Sequence, residues 1–188
     1  MLRHSVFSAV AVLALLLVSP RSEAAGVFEV TSPTIKAGGP IPLKHYWNSF
    51  GCTGGNVSPA LSWHGAPEGT KSYAITIYDH DAPTGSGFWH WVAYDIPAAQ
   101  KDLEEGSISA GKLPAGTVEG NTDLGKPGWF GPCPPDGKSH RLTFTVYALK
   151  TATLEVPAGA TAAFTGFNIL QNTLAKAELT ATAAPQKK

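Results

Sequence analysis

Two stretches gather side chains able to move protons or hold an ion. The first runs Tyr78-Asp79-His80-Asp81-Ala82-Pro83-Thr84-Gly85-Ser86-Gly87-Phe88-Trp89-His90-Trp91. Asp79 and Asp81 stand two residues apart at the end of an apolar run, so an extended chain points both carboxylates to one side. Pro83 fixes a turn after Ala82, with a bond that either isomer suits. His90 opens the next apolar run, and a hairpin would return its imidazole toward the two carboxylates. The second stretch, Gly131-Pro132-Cys133-Pro134-Pro135 and on to His140-Arg141, is stiffened by its prolines and also ends in a histidine at a strand start. If the two strands are neighbours, His90 and His140 face one cavity with Asp79 and Asp81. Such a cluster can accept from an ammonium, donate to anion oxygens, serve as acid and base, or ligate zinc. Spacing alone fits a solvated Asp-rich turn and a surface histidine equally well.

The elements that must position these groups are mostly strands. Ser72 to Tyr78 places Tyr73, Ile75 and Ile77 on one face, and His90 to Ile96 is the next strand, ended by Pro97. His140 to Leu149 is the clearest, with Leu142, Phe144, Val146 and Ala148 alternating against Arg141, Thr143, Thr145 and Tyr147. Short pieces before Leu43 and at Ala60 to His64 read as further strands. Asn48 to Pro59 and Gln100 to Gly128 read as long irregular loops. Phe164, Phe167, Leu170 and Leu174 recur at helical spacing, which predicts one helix between Thr161 and Lys176, followed by a strand from Ala177 to Thr182. The pattern predicts an all-β, antiparallel sandwich with a peripheral C-terminal helix.

Bulk properties narrow the function classes. The 188 residues carry 14 basic and 14 acidic side chains, so no basic field attracts nucleic acid. Arg3 and His4, the apolar run Val6 to Val18, and Ser22-Glu23-Ala24 form the pattern of a secretory signal with a cut after Ala24. The expected organisation is a signal peptide at 1–24 and one domain at 25–188. It implies an exported protein, periplasmic or secreted, with no stable membrane insertion after cleavage. The two cysteines, Cys52 and Cys133, permit one disulfide in an exported chain or remain two thiols. His45 and His64 read as surface or satisfied polar residues, and Trp47 and Trp63 as core rather than ligand platforms.

Four motifs in order carry a family resemblance. Gly51-Cys52-Thr53-Gly54-Gly55-Asn56-Val57-Ser58-Pro59 with Leu61-Ser62-Trp63, then Asp79-His80-Asp81-Ala82-Pro83, Phe88-Trp89-His90-Trp91, and the Gly131 to Arg141 stretch resemble the phosphatidylethanolamine-binding proteins. They look most like the bacterial branch often labelled Raf kinase inhibitor-like. The resemblance implies a Greek-key-type β-sandwich with a small pocket for phosphate, acetate and phospholipid head groups. Carried over by position, Asp79, Asp81, Pro83, His90, Gly131, Pro132 and His140 bind the ligand, and Trp63, Ala82 and Pro134 belong to the wall. Three departures stand out: His80 where the family has Pro, Leu142 where many members have Tyr, and no match to the aromatic lid of the animal proteins.

The implied function is binding of a small anionic ligand, with a protein partner such as a protease as a further implication, and neither catalysis nor a cofactor. No Gly-x-Ser-x-Gly elbow, P-loop or dinucleotide fingerprint is present. The competing readings are a hydrolase and a metal-binding protein, both built on the same Asp/His cluster.

Overall fold

The structure is a computed structural model that describes residues 26–135 and 137–186. The expected signal segment at 1–24 lies outside the described residues. Eight strands, β1 (Glu29–Thr31), β2 (Leu61–His64), β3 (Ser72–Asp79), β4 (Phe88–Pro97), β5 (Asp102–Leu103), β6 (Val118–Glu119), β7 (His140–Leu149) and β8 (Thr173–Ala183), form two antiparallel sheets. The smaller has the order β1-β2-β5 and the larger β6-β4-β3-β7-β8. Among the described residues one α-helix, α1 (Ala162–Gln171), precedes β8. The strand β7 returns beside β3 after the long excursion that follows β4, as a Greek-key sandwich requires.

The large sheet is buried on both faces, which explains why β3 is apolar almost throughout. Tyr73, Ile75 and Ile77 face the small sheet and meet Leu61, Trp63, Leu142, Phe144 and Val146 in the main core. Ala74 on the other face joins Val92, Leu149, Ala162 and Ile169 beneath α1. Gly166 brings the helix down onto the sheet, since a Cβ there would sit 3.1 Å from the Trp89 ring. The predicted alternation in β3 and β7 is therefore the observed one.

Several elements differ from expectation: β4 begins at Phe88 rather than His90, and the Gln100 to Gly128 stretch read as irregular contributes the short edge strands β5 and β6. The helix ends at Gln171 rather than near Lys176, and β8 begins at Thr173 rather than Ala177. Ala177, Leu179, Ala181 and Ala183 are buried at period two, and their pairing with β7 extends the strand back to Thr173. Leu174, read as the last turn of the helix, belongs to that strand. The helix start agrees: the Thr161 side chain accepts from the Phe164 N–H, an N-cap.

Candidate functional site

Asp79 closes β3 opposite Phe88 at the start of β4. Ile77 pairs with Trp91 and Tyr78 with Trp89, which leaves His90 as the extra residue of a β-bulge. His140 opens β7, the neighbour of β3 on its other side. The three side chains converge at one end of the large sheet. His140 Nδ1 donates to Asp79 Oδ2 at 2.7 Å, and His90 Nε2 lies 3.8 Å from the same oxygen. All three residues are buried.

The hydrogen bonds fix the proton positions. A carbonyl only accepts, so His90 Nδ1 carries the hydrogen in its 2.6 Å bond to the Phe130 carbonyl. In the neutral ring, Nε2 then presents a lone pair, and that buried atom has no hydrogen-bond partner. Burial pushes the Asp79 carboxyl up. The approach of His90, the His140 hydrogen bond and the Asp81 N–H together outweigh it and hold the group below its ordinary range. The floor is thus a carboxylate flanked by two imidazoles, and the Nε2 of His90 lacks a hydrogen-bond partner.

Above the floor opens a pocket of about 310 Å³ lined by Trp47, Phe50, Ala82, Pro83, Thr84, Phe88, Leu124, Phe130, Gly131, Cys133 and Pro135. Trp47 stacks on Phe50 at 4.7 Å and meets Phe130 edge-on at 5.7 Å. Trp47 and Phe50 stand at the start of the loop that runs to Pro59, and this loop is tied to the second proline-rich loop, which follows Phe130, in three ways. Cys52 and Cys133 form a disulfide with sulfurs 2.03 Å apart. Trp47 N donates to the Pro132 carbonyl at 3.2 Å. Asn56 Oδ1 accepts from Gly131 N at 2.9 Å. Gly131 has no alternative, because a Cβ there would lie 2.1 Å from the His45 carbonyl oxygen.

Several expected residues stand elsewhere. Asp81 does not share the floor with Asp79, because the chain turns instead of staying extended: Asp81 N donates to Asp79 Oδ1 at 2.9 Å, an Asx-type turn. Its carboxylate receives Arg141 Nε and Nη2, each at 2.8 Å, and the Arg141 backbone N–H. Held by Arg141 hydrogen bonds, it stays ionised far below the usual carboxylate range. Trp63 is a core residue packed edge-on against Tyr73, and the depression it borders is a different one, beside His64 and Lys101. Pro132 and Pro134 are buried behind the lining, and Pro135 faces the pocket in their place. His80 is exposed and bonded to Thr143, and the Ala82–Pro83 bond is trans. Trp47, expected in the core, forms the wall, and sequence reasoning also missed Phe50, Thr84, Phe88, Leu124 and Phe130. Phe88 was findable, since it lies two residues before His90. Among the described residues, no group of three or more His, Cys, Asp or Glu is placed to hold a metal.

His45 is the satisfied polar residue expected, but fully buried: Nδ1–H donates to the Val57 carbonyl at 2.7 Å and Nε2 accepts from Thr34. Burial lowers its pKa below 6.5 against the opposing pull of the Val57 carbonyl and Glu105, with Lys44 adding to the lowering. The unfolded chain therefore takes up a proton that the folded one refuses. The stability this contributes is complete above the unfolded value and is lost as pH falls toward the folded one. Thermal midpoints should decline from about pH 7 to about pH 5, and His45→Gln should flatten that slope while lowering the midpoint at neutral pH.

Residues 31–184 of the chain match the family model described as phosphatidylethanolamine-binding protein. The chain belongs to the phosphatidylethanolamine-binding protein family. It is 47% identical over 162 residues to the UPF0098 protein YbcL of Escherichia coli (strain K12), covering 85% of this chain and 88% of that one. The crystal structure of YbcL superposes with a TM-score of 0.80 at 45% identity, over 85% of this chain and 99% of that one. The putative lipoprotein LppC of Mycobacterium tuberculosis (strain ATCC 25618 / H37Rv) is 36% identical over 160 residues, 85% of this chain and 73% of LppC.

Proposed function

We propose that this chain is an exported binding protein whose pocket takes small anionic ligands, foremost phosphate-bearing ones of the phospholipid head-group kind. The observation that carries this reading is the partnerless Nε2 of buried His90, beside the Asp79 carboxylate under an aromatic wall. With Nδ1–H committed to Phe130, neutral His90 can only accept. An anion is held there when its own acidic oxygen brings the proton. A phosphate monoester, whose second ionisation lies near pH 6, suits this arrangement. Asp79 suits an ammonium at the other end of the same ligand, and Trp47, Phe50 and Phe130 suit its apolar or flat part.

Export rests on the leader pattern at residues 1–24 and on the lipoprotein description of the mycobacterial relative. Among the described residues no helix is long and apolar enough to cross a membrane. Periplasm and the outside medium both fit, and a protein partner such as an envelope protease is the second arm of the test. The hydrolase reading has less support: Thr84, the one hydroxyl among the lining residues, donates to the Gly87 carbonyl, and the lining cysteine is in the disulfide.

Isothermal titration with phosphate, phosphoethanolamine and phosphoserine tests the reading. Binding of the phosphate-bearing ligands should disappear in His90→Ala, which removes the partnerless nitrogen from the floor. Affinity retained by a folded His90→Ala removes His90 as a ligand. No heat from folded protein turns the search to protein partners. Release of phosphate from monoesters that His90→Ala abolishes would replace binding with hydrolysis.

A further inference from the structure

The end of β3 away from Asp79 borders a second depression, of about 520 Å³, between the loop from His64 to Thr70 and the turn from Ala98 to Lys101. Tyr73 and Asp79 stand at opposite ends of that strand, so the two sites lie roughly 20 Å apart. Trp63 and Tyr73 form the inner side of the depression. Their rings meet edge-on at 5.5 Å, and the residues are 2% and 0% exposed.

Donors here lack acceptors. The Trp63 Nε1–H is buried and has no hydrogen-bond partner. An indole nitrogen only donates, so it can be satisfied by an acceptor alone. The Tyr73 hydroxyl accepts from Lys101 Nζ at 2.6 Å. An ammonium has no lone pair, so the phenol hydrogen points elsewhere, and among the described residues it meets no acceptor. Lys101 Nζ gives a second hydrogen to the Ala98 carbonyl at 2.9 Å and keeps a third. An indole, a phenol and an ammonium thus border one depression, each with a hydrogen to give.

We propose that this depression is a second binding site, for a monocarboxylate that carries a short apolar or flat substituent. A carboxylate is acceptor only, with two oxygens and about four lone-pair sites, and so answers Trp63, Tyr73 and Lys101 together. Charge selects a single negative group. Lys101 supplies one positive charge, and Glu68, exposed on the loop, is the one carboxylate among the lining residues. A phosphate dianion would set a second negative charge against it. His64 at the rim is turned to Glu29, with Nε2 3.6 Å from Oε2. A neutral amide or ester offers one carbonyl oxygen and no charge for Lys101. Away from the donors, Ala66, Pro67 and Ala98 suit the substituent.

Both walls are fixed by the fold itself. Gly65 turns the chain at φ 74°, where a Cβ would collide with the Val27 carbonyl. Thr70 N and Oγ1 donate to the Pro67 carbonyl at 3.3 and 2.6 Å, and Lys71 N donates to the Leu149 carbonyl at 2.8 Å. Opposite them, Gln100 N donates to the Pro97 carbonyl at 2.9 Å, and Trp63 N to the Lys101 carbonyl at 2.8 Å. Walls held in this way lower the ordering cost of binding.

The indole N–H resonance of Trp63 in a proton–nitrogen correlation spectrum reads the site directly, assigned by its loss in Trp63→Phe. It should move downfield and saturate on titration with hydrocinnamate. It should stay still with hydrocinnamamide and with inorganic phosphate. Lys101→Met, its fold checked by circular dichroism, should bind hydrocinnamate roughly tenfold more weakly or worse, as for a lost charged hydrogen bond. Lys112→Met, which removes the same charge from another exposed position, should bind like wild type. His90→Ala should also keep the Trp63 response, which separates this site from the pocket at the Asp79 end. N-acetyl-alanyl-phenylalanine distinguishes two sources of the same group: tighter binding than hydrocinnamate assigns the site to polypeptide carboxyl ends, and weaker binding assigns it to free organic acids. The proposal is overturned if no carboxylate moves the Trp63 resonance, if the amide moves it as far as the acid, if Lys101→Met keeps wild-type affinity, or if His90→Ala loses the response.

Discussion

Asp79→Ala is expected to lower stability by about 3 kcal/mol and to abolish anion binding in the same variant. The carboxylate is buried and accepts from His140 Nδ1 and from the Asp81 N–H, with His90 at 3.8 Å. Removing one partner of a buried charged hydrogen bond leaves the others desolvated and unmatched, which costs about 2–5 kcal/mol. In a chain of this size that shifts the thermal midpoint by roughly 10 °C. Asp79→Asn separates geometry from charge, because the amide oxygen still accepts from His140. It should retain more stability than alanine yet lose affinity for an ammonium-bearing ligand such as phosphoethanolamine more than for phosphate. The acid limb follows the sign of the shift. The folded pKa of Asp79 is depressed, so its contribution is present above the unfolded value of 3.8 and is lost as pH falls through the folded one. Wild type should therefore lose more stability than Asp79→Asn as pH is lowered from about 4 to about 2. Equal acid sensitivity, or binding retained by a folded Asp79→Ala, would show that this carboxylate does not organise the floor.

The second large effect is that of the disulfide. Cys52 and Cys133 are 81 residues apart, and opening a loop of that length costs about 4 kcal/mol by the chain-entropy argument. Cys52→Ser with Cys133→Ser should lower the thermal midpoint by roughly 10–15 °C, and a dithiol reductant should do the same to wild type. The Asn56 and Trp47 hydrogen bonds to Gly131 and Pro132 remain. They should keep the aromatic wall docked well below the midpoint, so ligand affinity at low temperature should change far less than stability. A collapse of affinity in a folded double variant would show that the covalent tie alone holds the wall.

Local periodicity made the fold legible. The alternation in β3 and β7 is visible because each face of those strands meets a different core. Asp79 and His140 were legible for a related reason, since each stands at the end of a strand, whereas His90 lies inside β4 and reaches the floor through a bulge. The errors fell where the outcome depends on contacts distant in sequence. Asp81 was assigned to the floor on the premise of an extended chain, and a turn bond from its own N–H together with Arg141 takes it elsewhere. Trp47 and Phe50 look like core residues until the loop bearing them is placed over β4 by Gly131 and Cys133. Trp63, in the strand just past that loop, faces Tyr73 because β2 lies in the opposite sheet. Leu174 fits a helical period with Leu170, and only the pairing of β8 with β7 shows that it belongs to a strand.

The chain has two cysteines, so the native bridge has no competitor within its own molecule. The constraint during synthesis is one of waiting. A chain that emerges amino-terminus first presents Cys52 while its partner is still 81 residues behind, a lag of roughly 270 Å of extended polypeptide. In that interval the only other thiols within reach are on other molecules. Crowded oxidative folding should therefore yield covalently linked oligomers as its sole mispaired product, resolvable on a non-reducing gel. Slowing oxidation until Cys133 has emerged should remove them.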